Sequence, residues 1–387
     1  MLRVTHSGHL NAVKEGDLYL LRHHTYGSNA VRITDASQNI TLDGIKVYSV
    51  PGMAFLVDSG THHYQIKNCT VGLRPDSNRR ISATADALHV ADTGGFANFD
   101  NLDFSFMGDD CINIHDNVSV VQRRINDKTL EVRRNMTCEV GDTIAFIGKD
   151  FTDIPGTARI VKKQAHGSNF KLEFDTEVPQ EMDRNTFLRN LRYDSSNYVI
   201  RNSYFHENRA RGLLLQSNNG LVENNRFYRT QGAAILVTLD ITHDKWTEGT
   251  GVDNLVIRNN VFDRCNVNNW TGLIELKAKL YELPVDAPVF TNIVIKDNIM
   301  KDFPSWVLYI CSSDGVRFTG NRISNPLEME ENLLRGGIDI EKSRNVEIGN
   351  NVWVRTPYAP TPGEITVLNP DRQDTVSIHD NTVVEDE

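Results

Sequence analysis

Apolar and polar residues alternate in short bursts along most of the chain, and the bursts repeat. NYVIRNSYF (197–205), GLVENNRFY (220–228), NLVIRNNVF (254–262), NIVIKDNIM (292–300), NVEIGNNVW (345–353) and TVSIHDNTV (375–383) share one pattern. Two alternating apolar residues are followed by Asn or Asp, then by an apolar residue three further on. Looser copies at 39–47, 63–71, 96–104 and 315–323 bring the total to ten. After them come further alternating stretches, such as GMAFLVD (52–58), DALHVAD (86–92), DCINIHD (110–116) and RGLLLQS (211–217). A period of two without any period of 3.6 predicts strands, so each repeat reads as two strands joined by Asn, Gly and Asp turns. One such unit cannot bury its own apolar face. Stacked coils can, because every backbone group then pairs with the rung above or below, and the expected fold is an all-β, right-handed parallel β-helix. The L-x-x-L-x-L spacing of leucine-rich repeats is absent.

One step breaks the ladder. The copies at 96 and 197 are 101 residues apart, whereas the others are spaced by 23 to 38. The excess, residues 117–190, lacks the Asn turns and contains TLEVRRN, CEVGDTIAFIG, TARIVKKQ and NFKLEFD, which predict a small antiparallel β-barrel inserted directly after DCINIHD. VKEGDLYLLRH (13–23) resembles CEVGDTIAFIG, so residues 1–25 read as the remnant or edge of a second barrel. The expected organisation is therefore 1–25 barrel edge or cap, 26–116 first coils, 117–190 inserted barrel and 191–387 remaining coils.

Composition sharpens this picture in three ways. Asparagine occurs 37 times, more often than glycine at 26. It tolerates the left-handed backbone of a coil corner and hydrogen-bonds its own turn, which gives the excess a cause. The net charge of −10 repels phosphate backbones and acidic polysaccharides unless a local basic patch reverses it, and nucleic acid is not an expected partner. Five widely spaced cysteines (Cys69, Cys111, Cys138, Cys265, Cys311) form neither a CxxC pair nor a zinc spacing, and read as buried thiols without disulfide or metal. No apolar run is long enough to span a bilayer, and the opening MLRVTHSGHL shows no signal-peptide core.

Candidate chemistry lies in SATADALHVAD and MGDDCINIHD. Asp86 and Asp110 fall at equivalent positions of consecutive coils, 24 residues apart, and Asp109 precedes Asp110. Rungs lie about 4.8 Å apart, so three carboxyls crowd one patch and at least one pKa should rise. Strict alternation would put Asp86 and Asp110 on the core face with Leu88 and Ile112. They are therefore expected in the turn before each strand, with Asp109, Asn113 and His115 facing outward. Arg211 shares their register, and Arg209 is two residues earlier. His89 and His115 flank the acids, and Trp246 and Trp270 are candidates for stacking on a sugar ring. Glu275 and Asp339 read as solvent-facing rungs, the pairs His23–His24 and His62–His63 as surface pairs, and the sequon at Asn135 carries little weight.

SATADALH with GDDCINIH on a β-helix resembles the inverting α-1,3-galactosidases of glycoside hydrolase family 110. More remotely it is similar to the polygalacturonases of family 28, which belong to the pectin-lyase-like solenoids. RHHTYGSNAV, NITL, VYSVPGMAFLV, CTVGLRPD and RRISATADALH extend the first resemblance, which runs from about residue 13 to beyond 240. It implies two barrels beside the helix, the first only partly present here. It also implies Asp109 as general acid, with Asp86 and Asp110 holding and deprotonating the attacking water. Arg211, Arg209, His89, His115, Asn113, Trp246 and Trp270 are then candidate sugar contacts. No metal or other cofactor is called for. The implied partner is a galactose-terminated oligosaccharide or glycoconjugate, met by a periplasmic or secreted bacterial enzyme, and exposed solenoid ends allow a homo-oligomer. The Gly-His-Gly and Arg-Ile-Lys of polygalacturonases do not occur. Two alternatives stay open: a lyase or endo-hydrolase acting on an acidic polysaccharide, and a non-catalytic β-helix that only binds glycan.

Overall fold

The computed structural model describes residues 24–386 apart from 243–244, 269–271, 282, 328–335 and 360–361, together with residues 14, 16 and 20–22. The reading of residues 1–25 as a barrel edge falls almost wholly outside the described residues. Three parallel sheets run the length of a β-helix, each ten strands deep along its main path. One coil, for example, contributes Ala97–Asp100 to the second sheet, Asp103–Ser105 to the third and Ile112–His115 to the first.

A coil thus has three strands where the alternation predicts two. The nine-residue motif is itself split at its asparagine. In NYVIRNSYF, Tyr198–Arg201 and Tyr204–His206 belong to different sheets, because Asn202 between them takes a left-handed φ of 54°. Asn224, Asn259 and Asn350 do the same at equivalent corners. The residue after the corner stacks. Asn260, Asn298, Asn321 and Asn351 each accept, through Oδ1, from the backbone N–H and the Nδ2 of the asparagine on the preceding coil, at 2.9–3.1 Å. Each also donates Nδ2 to a carbonyl of the preceding coil. Two consecutive asparagines therefore do different work, one bending the chain and one satisfying buried polar groups in place of water.

Inside the corners the apolar residues form columns. Phe55, Phe104, Phe205, Phe227 and Phe262 contact in sequence, with successive ring centroids 4.8–6.2 Å apart. All five are essentially without solvent exposure. All five cysteines are buried and unpaired.

Residues 118–190 form a closed barrel in which Val118–Asn126, Thr129–Arg133, Asn169–Phe174, Asp153–His166, Thr143–Ile147 and Phe187–Asn190 hydrogen-bond in that order. It has its own core around Leu130, Phe146, Phe174 and Leu188. The coil ladder passes beneath it unbroken: Ile112–His115 pairs in parallel with Leu213–Leu215, and Ala97–Asp100 with Tyr198–Arg201. Two buried acids fasten the root of the barrel. Asp92 accepts from the N–H and Nδ2 of Asn117 and from Thr137 Oγ1, and Asp116 accepts from the N–H and Oγ of Ser195.

Burial, and then the Asp92 charge, push the Asp116 carboxyl up to about 7 against the Ser195 donors. A carboxyl raised on folding binds a proton in the native state that the unfolded chain has released. The stability it confers is complete below the unfolded value near 4 and is lost as pH rises through 7. Denaturant midpoints of the wild type should fall between pH 4 and pH 7 by more than those of Asp116→Asn. Parallel pH profiles for the two proteins would remove Asp116 as the cause.

Candidate active site

Against the outer face of the first sheet, beside the barrel, lies a cleft of about 630 Å³. Asp86, Asp109 and Asp110 line it together, and one oxygen from each lies within 4.8 Å of the others. Asp86 and Asp110 sit in the turn before Leu88–Ala91 and Ile112–His115, not in the apolar lumen. Their carboxylates run along the helix axis and serve the next rung. Asp86 Oδ1 accepts from the Asp110 N–H at 3.0 Å, and Asp110 Oδ1 accepts from the Arg211 N–H at 2.8 Å. The register of the three positions is thus also a hydrogen-bond ladder.

The remaining oxygens are held by cations or imidazole. Asp110 Oδ2 meets the Arg211 guanidinium at 2.8 Å, and Asp86 Oδ2 meets His89 Nδ1 at 2.7 Å. Asp109 differs, since its carboxylate has no hydrogen-bond partner among the described residues and it is more exposed than its neighbours. Burial raises its pKa, the Asp86 charge adds to this, and Arg211, Arg209 and Arg22 oppose it. Burial also raises Asp110, against Arg211. For His89, burial favours the neutral ring, but the hydrogen bond and charge of Asp86 outweigh it and the net shift is upward. His115, 3.0 Å from His89 through the two Nε2 atoms, is pushed down to about 3 by burial and then by the His89 charge, and stays neutral. Of two touching imidazoles only one is favoured to take up a proton, and it is the one against Asp86.

Asn113 and Trp246 also line the cleft, as the sequence leads one to expect. Three expectations need correction or set aside. Arg209 is found lining an adjoining pocket, its Nη1 donating to the Gly108 carbonyl at 3.1 Å, although its charge still acts on Asp109. Glu275 is 3% exposed rather than solvent-facing, since its carboxylate accepts the Gly272 N–H within its own coil. Trp270 lies outside the described residues.

Several cleft residues carry no sequence signal. Tyr26 arrives from the N-terminal segment, and burial and the Asp109 charge raise its pKa so that it remains a phenol able to donate. Arg134 and Asn135 reach in from the barrel, which gives the Asn135 segment a place the sequon does not. Glu248 comes from the excursion after Ile235–Ile241. The barrel braces that excursion, with Arg133 Nη1 on the Thr242 carbonyl and Asn135 Nδ2 on the Lys245 carbonyl, both at 3.4 Å.

The family described as right handed beta helix region matches residues 86–238 and again 185–353, together well over half of the chain. The chain belongs to this right-handed β-helix family. Within the β-helix proteins it is similar to the α-1,3-galactosidase A of Bacteroides fragilis (strain YCH46), at 29% identity over 299 residues, 74% of this chain and 49% of that protein. It is also similar to the α-1,3-galactosidase B of Akkermansia muciniphila, at 27% identity over 341 residues, 83% of this chain and 42% of that protein. The chain spans about half the length of the curated relatives it matches. Among solved structures, the Streptococcus pneumoniae surface adhesin PfbA aligns with a TM-score of 0.41 and 13% identity over 87% of this β-helix chain and 74% of that one.

Proposed function

We propose that this β-helix chain is an exo-acting glycoside hydrolase that releases terminal α-1,3-linked galactose with inversion, using carboxylates alone. The observation that carries the proposal is the unequal treatment of three crowded acids. Asp86 and Asp110 are engaged as acceptors by neighbouring donors, while the Asp109 carboxyl alone of the three has no hydrogen-bond partner among the described residues; burial raises its pKa as it also raises that of Asp110. A carboxyl free to donate, with its pKa raised, beside two carboxyls held as acceptors is what glycosidic cleavage needs. Asp109 donates its proton to the glycosidic oxygen as the bond to the anomeric carbon breaks. A water between Asp86 and Asp110 attacks that carbon and gives up a proton to one of them. Two carboxylates less than 5 Å apart can share one bridging water.

The names of the relatives support galactose as the sugar and an α-1,3 linkage. Exo action rests on the family resemblance; Arg134 and Asn135 of the barrel and Lys245 to Glu248 of the excursion line the cleft beside the acids. Inverting enzymes generally separate acid and base by about 6.5–9.5 Å and retaining ones by about 5–5.5 Å. The close approach here gives no independent support for inversion, which rests on the family resemblance. A galactose-terminated glycan of this kind would be met in the periplasm or outside the cell.

The test is incubation with p-nitrophenyl α-galactoside and α-1,3-linked galactobiose, followed by proton NMR of the first-formed sugar. Galactose appearing initially as the β anomer is expected. No galactose from either substrate would sink the proposal, the α anomer first would sink inversion alone, and an ultraviolet-absorbing unsaturated product from a uronate-containing polysaccharide such as polygalacturonate would make the chain a lyase.

A further inference from the structure

Glu248 lines the cleft yet has no part in the chemistry assigned to the three aspartates. Its backbone is clamped on both sides. It pairs antiparallel with Asp240 at the end of the first-sheet strand Ile235–Ile241 and with Asn117 at the entrance to the barrel. The following Gly249, at φ 97°, turns the chain sharply and donates its N–H to the Asp116 carbonyl. The side chain is thereby delivered to the cleft floor on a rigid support, as a preorganised binding group requires.

One carboxylate oxygen is occupied. Oε2 accepts from Gln216 Nε2 at 3.2 Å and Asn113 Nδ2 at 3.4 Å, with His115 Nε2 at 3.8 Å. The other, Oε1, has no hydrogen-bond partner among the described residues and is not sealed inside the protein. A largely buried carboxylate with half of its acceptor capacity unused is unfavourable until a ligand supplies donors. Asp86, Asp109 and Asp110 share the same cavity, so an anionic ligand group is disfavoured there. A neutral polyol fits, because ring hydroxyls offer the O–H donors that the lone pairs of the free Oε1 can accept.

We infer that Glu248 is a specificity-determining residue whose Oε1 accepts hydrogen bonds from hydroxyls of the terminal sugar ring. Trp246 enters the cleft on the same excursion, so the excursion, braced by the barrel, selects the sugar while the coils carry the reacting acids. The inference takes its sugar class from the glycosidase reading, and a binding measurement lets the two fail separately. Free D-galactose and its 2-, 3-, 4- and 6-deoxy forms would be titrated calorimetrically into the wild type and Glu248→Gln. Galactose should bind the variant roughly 10- to 100-fold more weakly. At least one deoxy sugar should bind the wild type weakly by a similar factor yet distinguish little between the two proteins. Unchanged galactose binding by the variant, an equal penalty on all five sugars, or no binding by the wild type would overturn the inference. Should Glu248→Gln fail to fold, the same titrations on Glu248→Asp, which retains the charge and withdraws it by one methylene, decide the question. Glu248-dependent binding without hydrolysis of α-galactosides would leave this inference standing and end the glycosidase reading.

Discussion

Replacing Asp109 with asparagine is expected to lower kcat on α-1,3-galactobiose by about 10²- to 10⁴-fold, the range a positioned general acid supplies. Asparagine keeps the shape of the side chain and cannot donate a carboxylic proton. Its effect on folding should be small, because Asp109 holds no side-chain partner among the described residues. Leaving-group chemistry separates this from a binding defect. A 2,4-dinitrophenyl α-galactoside departs without protonation, so the variant should lose far less on it than on the disaccharide. The pH profile carries the sign. With the Asp109 pKa raised by burial and by Asp86, the protonated form persists to higher pH than in a free aspartate, and wild-type kcat/KM falls on the alkaline side as that proton is lost. The variant should lack this limb. Full activity in Asp109→Asn, or an unchanged alkaline limb, would remove Asp109 as the acid.

Arg211→Met is expected to cost about 3–5 kcal/mol in denaturant unfolding near neutral pH, as when one partner of a buried pair is removed. Asp110 is only 2% exposed, and Arg211 gives it both a guanidinium hydrogen bond and a backbone N–H. The methionine variant keeps the backbone contact and strands the charge. Its loss should shrink as pH is lowered and Asp110 takes a proton, because the neutral carboxyl no longer needs the cation. Adding Asp110→Asn should restore most of the stability and none of the activity. An Arg211→Met protein as stable as the wild type would mean that Asp110 already carries a proton in the folded state, and the role of holding water would pass to Asp86 alone.

The sites of these two predictions were legible before the structure because the contacts involved are between neighbouring rungs. Asp86, Asp110 and Arg211 occupy the same place in the repeat, so a spacing in sequence becomes a distance along the helix axis. The parity conflict of Asp86 and Asp110 with Leu88 and Ile112 also foretold a turn rather than the core. Alternation could not show that the motif crosses a corner. Two short strands in different sheets look like one strand when the asparagine between them is taken as a surface residue. Glu275 went astray for a related reason: period-two parity assigns faces within a strand, and says nothing about a carboxylate that folds back on its own coil.

By itself, then, the sequence determined the coil period, the left-handed corners, the position of the insertion and the three registered acids. All of these follow from local backbone preference and nearest-rung stacking, which a repeat writes directly into residue spacing. Only the tertiary structure decided what closes the cleft. Tyr26, Arg134, Asn135 and Glu248 come from segments outside the repeat, and the Asn113–Glu248 contact joins residues 135 apart. No period indexes such a contact. It exists because the barrel root and the excursion meet over the first sheet, and that meeting depends on how separate surfaces pack.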